Sequence, residues 1–236
     1  MIIPFKVGKN SNAEDQFIDL SDVPLLMISY CEEGNLNMVL QEINQIEYPY
    51  KQANYFITNS KRISLKEDFN FETIYFLKDE PERGYISSRK SMFRIITDEI
   101  TFRQQLLKAK KVKDFKRYFS LNLWNTEKRS YQFLIIDDIW DIVTAKPKDQ
   151  VISLIRIILY GPAVGIHTIF ASGISYRNLL EQLINVNPQI TDLLQEKYGV
   201  PEPTQMSALG KELIYTPDGL IYYKSKNMGE IEKFYP

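Results

Sequence analysis

Three continuous apolar runs of strand length limit what this chain can fold into more than anything else in it: residues 24–30, 131–136 and 166–171. A strand with one wet face alternates apolar and polar residues, whereas one that is apolar throughout is buried on both faces, as in a parallel sheet covered by helices. Residues 54–58, 73–77 and 93–96 are shorter strand candidates. Helical patterns lie between the runs. Thr97-Asp98-Glu99 reads as a helix start, with acidic groups near the positive end of the dipole, and Phe102, Leu106, Ala109 and Val112 follow on one side. Pro147 opens another helix, with Val151, Leu154, Ile155, Ile158 and Leu159 apolar, and Gly161-Pro162 ends it. Further helical patterns fall at residues 38–46, 177–184 and 188–197.

Both ends of the chain carry hairpin signals. Residues 4–20 alternate around Asn10-Ser11-Asn12, and residues 212–216 and 220–224 flank the turn Pro217-Asp218-Gly219. The expectation is an α/β fold, a doubly wound and mainly parallel sheet with N- and C-terminal β-hairpins, forming one domain over residues 1–236. With 236 residues, 44% of them hydrophobic, the chain can build a sizeable core.

Composition excludes several classes of function. One cysteine, Cys31, and one histidine, His167, leave no internal disulfide and no Cys/His zinc site, and they fit a reducing, cytoplasmic setting. No metal site is expected. Residues 154–171 form the longest apolar stretch, but Arg156, Gly161, Pro162 and His167 interrupt it, so no membrane insertion is expected; nor does the first segment read as a signal peptide. His167 reads as a structural residue at the start of a buried strand.

In doubly wound sheets, ligands sit at the carboxyl ends of strands. Residues 133–136 run into Asp137-Asp138, the form of a Walker B segment, in which one carboxylate holds Mg²⁺ and the next orients water. An acidic strand end can equally be a solvated surface, and it also begins receiver domains. The strand at 166–171 ends without the further aspartate that a receiver site needs. The loop after the first apolar run discriminates further. A phosphate cradle needs glycines, a lysine and a hydroxyl. The sequence here is Glu32-Glu33-Gly34-Asn35-Leu36-Asn37, with Leu36 at the lysine position and Asn37 at the hydroxyl position. One lost charge-assisted contact weakens phosphate binding by about 1.5–3 kcal/mol, and two added carboxylates repel the anion further.

With strand, loop and acidic pair in this order, the chain resembles the motor domain of the FtsK/SpoIIIE family of DNA translocases. Asp19-Leu20-Ser21-Asp22-Val23-Pro24 looks like the family's entry into its Walker A strand, and Asp137-Asp138-Ile139-Trp140-Asp141 like its Walker B continuation. Ala163-Val164-Gly165-Ile166-His167 is similar to the family's Ala-Ala-Gly-Ile-His segment, and residues 211–219 to its closing hairpin. The resemblance implies a P-loop NTPase fold of RecA-like type, with Glu33, Gly34, Asn35, Leu36 and Asn37 as a degenerate Walker A loop and Asp137 and Asp138 as a vestigial Walker B pair. Gly173 replaces the family's sensor glutamine and Pro162 an arginine. The scaffold is kept while the residues of hydrolysis are lost. The resemblance also implies hexameric relatives, hence a homo-oligomer as one partner, with an active translocase or a type VII secretion ATPase as another.

Charge supplies the last feature. The formal net charge is −1, yet between Arg103 and Arg129 nine basic residues stand against two acidic ones. Arg103, Lys110 and Arg117 are seven apart and would share a face of a continuous helix, with Lys113 nearby. Such a patch could engage DNA or an acidic partner, although a solvated helix face is commoner. The leading expectation is a pseudo-ATPase that acts as a binding or assembly subunit and takes no cofactor. The alternatives are an ATPase binding Mg-ATP through a nonstandard loop, and a DNA-binding accessory protein of a mobile element.

Overall fold

The three apolar runs become strands near the middle of one sheet, where backbone partners flank them on both sides. The computed structural model describes residues 4–23, 25–29, 54–58, 74–76, 89–121, 130–137, 149–172, 210–215, 221–224 and 231–234. The helices expected at 38–46, 177–184 and 188–197 lie outside these residues. The strands are β1 (Pro4–Lys9), β2 (Asp15–Asp19), β3 (Leu25–Ser29), β4 (Asn54–Thr58), β5 (Ile74–Phe76), β6 (Gln132–Asp137), β7 (Ile166–Ser172), β8 (Gly210–Tyr215), β9 (Ile221–Lys224) and β10 (Ile231–Phe234). The α-helices are α1 (Arg89–Ala109), α2 (Phe115–Ser120) and α3 (Asp149–Tyr160).

Eight strands form the main sheet in the order β10-β9-β8-β3-β7-β6-β4-β5. From β8 to β5 every pairing is parallel, so these six strands begin at one edge of the sheet, the amino edge, and end at the other, the carboxyl edge. The last two strands turn back antiparallel. From β3 the chain passes to β4 and β5, returns through β6 to β7, and then crosses to β8 on the far side of β3. In open parallel sheets, ligands bind at the carboxyl edge beside such a switch in strand order. All five residues of β3 are buried, which is why the sequence there has no polar alternation.

The N-terminal hairpin pairs β1 with β2 in a separate two-stranded sheet. Asn10 closes its turn, its Oδ1 accepting from the amides of Asn12 at 2.9 Å and Glu14 at 3.0 Å. A 3₁₀ turn, Leu20–Asp22, then leads toward β3, capped by Asp19, which accepts from the Ser21 amide and hydroxyl.

Three expectations need correction. Residues 93–96 are not a strand but lie inside α1, which begins at Arg89 rather than near Thr97. The Thr97 hydroxyl donates back to the Phe93 carbonyl at 2.9 Å, as a mid-helix threonine does, and caps nothing. The buried face is also rotated from the one expected. It carries Met92, Phe93, Ile96, Ile100, Arg103 and Leu107, whereas Phe102 is 42% exposed. A charged residue in the middle of the stripe broke the apolar pattern and shifted the reading by one position, about 100° around the helix.

Helix α1 packs against α3, and α3 against β7. Gly161 ends α3: a Cβ there would meet the Ile157 and Ile166 carbonyl oxygens at 2.5 and 2.7 Å. Gly165 sits at φ +77°, where the ring of Phe115 covers it; a Cβ would lie 2.1 Å from Phe115 Cδ1. Both the dihedral and the ring exclude a side chain. Gly165→Ala is therefore expected to lower stability by about 2–3 kcal/mol, from strained backbone and overpacking together. Urea unfolding checks this, and a shift within experimental error would show that Phe115 can move aside.

Candidate functional site

The carboxyl edge and the amino edge of the parallel sheet each assemble a different set of residues. At the carboxyl edge Ser29 of β3 lies opposite Ser172 of β7, and Asp137 of β6 lies opposite Ala171. The end of β3 and the first aspartate of the acidic pair thus share one edge with β7 between them. Two strand spacings put them about 10 Å apart. Glu33, Gly34, Asn35, Leu36, Asn37 and Asp138 lie outside the described residues. The backbone therefore brings together the two strand ends that a nucleotide site would use.

The basic segment does not form the single helical face the sequence suggested. Helix α1 stops at Ala109, where the Val112 amide donates to the Leu107 carbonyl at 3.0 Å and the Lys111 amide to the Lys108 carbonyl at 3.1 Å. Lys111 takes the left-handed conformation at φ 55°, the place glycine usually fills in this C-cap. After that turn Asp114 caps α2, accepting from the Arg117 amide at 2.8 Å. Lys110, Lys113 and Arg117 are exposed.

Arg103 is a correction to the expected nucleic-acid-binding set: it is 1% exposed. Its Nε donates to Glu99 at 2.8 Å and its Nη1 to the Val164 carbonyl at 3.0 Å, and its guanidinium lies 4.7 Å from the Phe115 ring centroid. Buried charge persists only where it is paired and hydrogen-bonded, and Arg103 meets both conditions. It pins α1 to the turn before β7 and cannot reach a phosphate in solution.

Helix α2 folds back toward the amino edge, since Phe115 covers Gly165 immediately before β7 and Lys116 pairs with Asp22 just before β3. Both partners of the Lys116–Asp22 pair are about half exposed, so solvent screens it and it contributes at most about 1 kcal/mol. Beside it is a pocket of about 250 Å³ lined by Ser21, Asp22, Asp114, Lys116, Tyr131, Pro162 and His167. Sequence reasoning did not find this pocket. Its residues come from four segments far apart in the chain, with no common spacing to signal them.

His167 is buried, and its Nδ1 lies 2.8 Å from the Val23 carbonyl. A carbonyl only accepts, so Nδ1 carries the proton and Nε2 is a bare acceptor in the neutral ring. Burial lowers the His167 pKa to about 4; the Val23 contact and the charges of Asp19 and Asp22 oppose that shift, and Arg103 reinforces it. Burial, with Asp19, Asp22 and Asp114 adding to it, holds the Tyr131 phenol protonated well above its ordinary range. Neither His167 Nε2 nor Tyr131 Oη has a hydrogen-bond partner among the described residues. The Ser21 hydroxyl is near enough to favour the phenolate slightly but donates instead to Asp19 at 2.7 Å.

Several solved structures share this architecture. Over 99% of this chain, EssC (ATPases 2 and 3) from Geobacillus thermodenitrificans superposes with a TM-score of 0.62 at 18% identity. The cytoplasmic domain of the Thermomonospora curvata type VII secretion ATPase EccC gives 0.59 at 14%, and the pCW3 conjugation coupling protein TcpA, solved with ATPγS, 0.59 at 16%, each again over 99% of this chain. The chain has the fold of P-loop ATPase domains. These neighbours are FtsK/SpoIIIE-type ATPases, and the chain spans 44%, 26% and 65% of their respective lengths. No protein-family model matches the chain, and no curated protein matches it in sequence. No helix among the described residues is long and apolar enough to cross a membrane.

The buried histidine sets a pH dependence. Its folded pKa of about 4 lies below the ordinary 6.5, so between those values the unfolded chain binds the extra proton. The stability conferred by the neutral ring is therefore full above pH 6.5 and is lost as pH falls toward 4, by roughly 3 kcal/mol in all. Wild type and His167→Gln, unfolded in urea across this range, should differ in slope, with the variant shallower. Parallel slopes would show that the imidazole protonates in place without cost.

Proposed function

We propose that this chain is an FtsK/SpoIIIE-like domain that does not hydrolyse ATP and serves as a binding or assembly unit alongside an active translocase or secretion ATPase. The observation that carries this reading is a P-loop ATPase architecture combined with a loop after β3 that has Leu36 and Asn37 where lysine and a hydroxyl belong. Glu32 and Glu33 add negative charge where phosphates would lie. The donor set does not fit Mg-ATP, whatever Asp137 and Asp138 retain. The neighbours that support the translocation context are a conjugation coupling protein and secretion ATPases, one of them solved with a signal sequence peptide.

A thermal-shift titration with Mg-ATP, Mg-ADP and a nonhydrolysable analogue tests the reading. Nucleotide at a hundred times its Kd would stabilise the fold by about 2.7 kcal/mol, so the expected result is no shift at millimolar nucleotide. A saturable, magnesium-dependent shift abolished by Asp137→Ala, accompanied by turnover, sinks the proposal and establishes the nonstandard-loop ATPase instead.

A second reading, DNA contact, is favoured by the exposure of Lys110, Lys113 and Arg117 around one turn. Binding through phosphates would weaken steeply with salt, each lost contact lowering the log–log slope by about 0.9 on duplex DNA. The double charge reversal Lys110→Glu with Lys113→Glu should then abolish retardation of duplex DNA at low salt. Retention of full affinity by that variant would remove this surface from consideration.

A further inference from the structure

The turn from the end of α1 into α2 concentrates charge that the local structure does not call for. Between Lys108 and Arg117 six basic residues, Lys108, Lys110, Lys111, Lys113, Lys116 and Arg117, stand against the single acidic residue Asp114, and all six are exposed. Asp114 is engaged in capping α2, and Asp22 pairs with Lys116. The partial negative charge at the end of α1 accounts for Lys108 in its last turn. Lys113 and Lys116 stand instead at the start of α2, where the helix end is positive and cations are disfavoured. Lysines gathered around one turn also repel one another. An external polyanion relieves that repulsion.

We propose that this corner docks on a membrane surface rich in anionic phospholipid. Five of its six cations are lysines. A flexible point charge suits a diffuse layer of headgroups, whereas fixed carboxylates on a protein partner favour the fork of arginine. Duplex DNA is the other diffuse polyanion, and two features favour the bilayer over it. The corner is convex: six of the eight residues from Gln104 to Lys111 are exposed where the chain turns from one helix into the next. A convex corner meets a flat surface with its cations together, while the phosphates of a duplex curve away from it. Leu121, 45% exposed, lies one turn beyond Arg117, its amide donating to the Arg117 carbonyl at 3.1 Å. An exposed leucine beside cations gains from entering a headgroup layer and gains nothing from phosphates alone. Phe115, Tyr118 and Phe119 are buried against the body of the protein, so α2 offers no ring for stacking on bases. DNA contact by the same surface is the competing outcome, and both stand independently of the nucleotide question.

Co-sedimentation of the full 236-residue chain with vesicles tests the docking site. The vesicles are pure phosphatidylcholine, or phosphatidylcholine mixed equally with phosphatidylserine. The expected result at about 0.1 M salt is partition onto the anionic vesicles alone, weakening as added salt shortens the reach of the charges. Each cation near such a surface contributes about five-fold to binding, so Lys111→Glu with Arg117→Glu should lower partition by about 25-fold or more. Leu121→Gln should lower it by about three-fold and leave retardation of duplex DNA unchanged. The wild-type comparison between the two vesicles decides even if a variant fails to fold. Equal binding to both vesicles, binding to neither, or full binding by the folded double variant overturns the docking site. Transfer of the chain from anionic vesicles to duplex DNA at equal phosphate concentration also overturns it and assigns the turn to DNA.

Discussion

Every strand of the parallel sheet takes its place from β3, because β3 must be hydrogen-bonded on both sides by segments that arrive from much later in the chain. A short apolar segment cannot remain buried with unpaired amides. β3 is therefore unfinished until β7 and β8 dock beside it, and the order β8-β3-β7-β6 follows from that need. The switch in strand order at β3 comes from the same need, since β7 docks on one side of it and β8 on the other. The two ladders of β3 are made by residues 25–29 with 168–172 and with 210–214, so the requirement is met within the sheet itself.

The helical layer depends on one buried cation. Arg103 joins Glu99 on its own helix to the Val164 carbonyl and lies over Phe115, which in turn lies on Gly165. Phe115 also meets Tyr131 edge-on at 5.0 Å, and Tyr131 approaches His167 at 5.7 Å. One chain of contacts thus runs from α1 through α2 to the start of β7. It explains why α2, although only six residues long, holds a definite position.

Much of this fold is legible in the sequence. β3, β6 and β7 announce themselves through unbroken apolar runs, α3 through its spacing, and the terminal hairpins through Asn10 and the sequence Pro217-Asp218-Gly219. The failures have physical causes. Arg103 disguised the buried face of α1, since sequence patterns score arginine as a surface residue and cannot see a carbonyl 61 positions away. The stop after Ala109 carried no glycine, because Lys111 adopts the left-handed conformation itself. β10 was missed because Glu232 and Lys233 fill the centre of a four-residue strand. The strand end at Asp137 could be read from composition, whereas the pocket at the amino edge could not, because tertiary packing alone brings Asp22, Asp114, Tyr131 and His167 together.

Strand β7 carries His167 near its first residue and Ser172 at its last. At about 3.3 Å per residue these two ends stand more than 15 Å apart, joined by a rod packed tightly in the interior. Selection on one end of that rod need not be felt at the other. Substitutions at the two ends share no neighbour and should add in their effects, so the two edges of a single sheet can be altered one at a time.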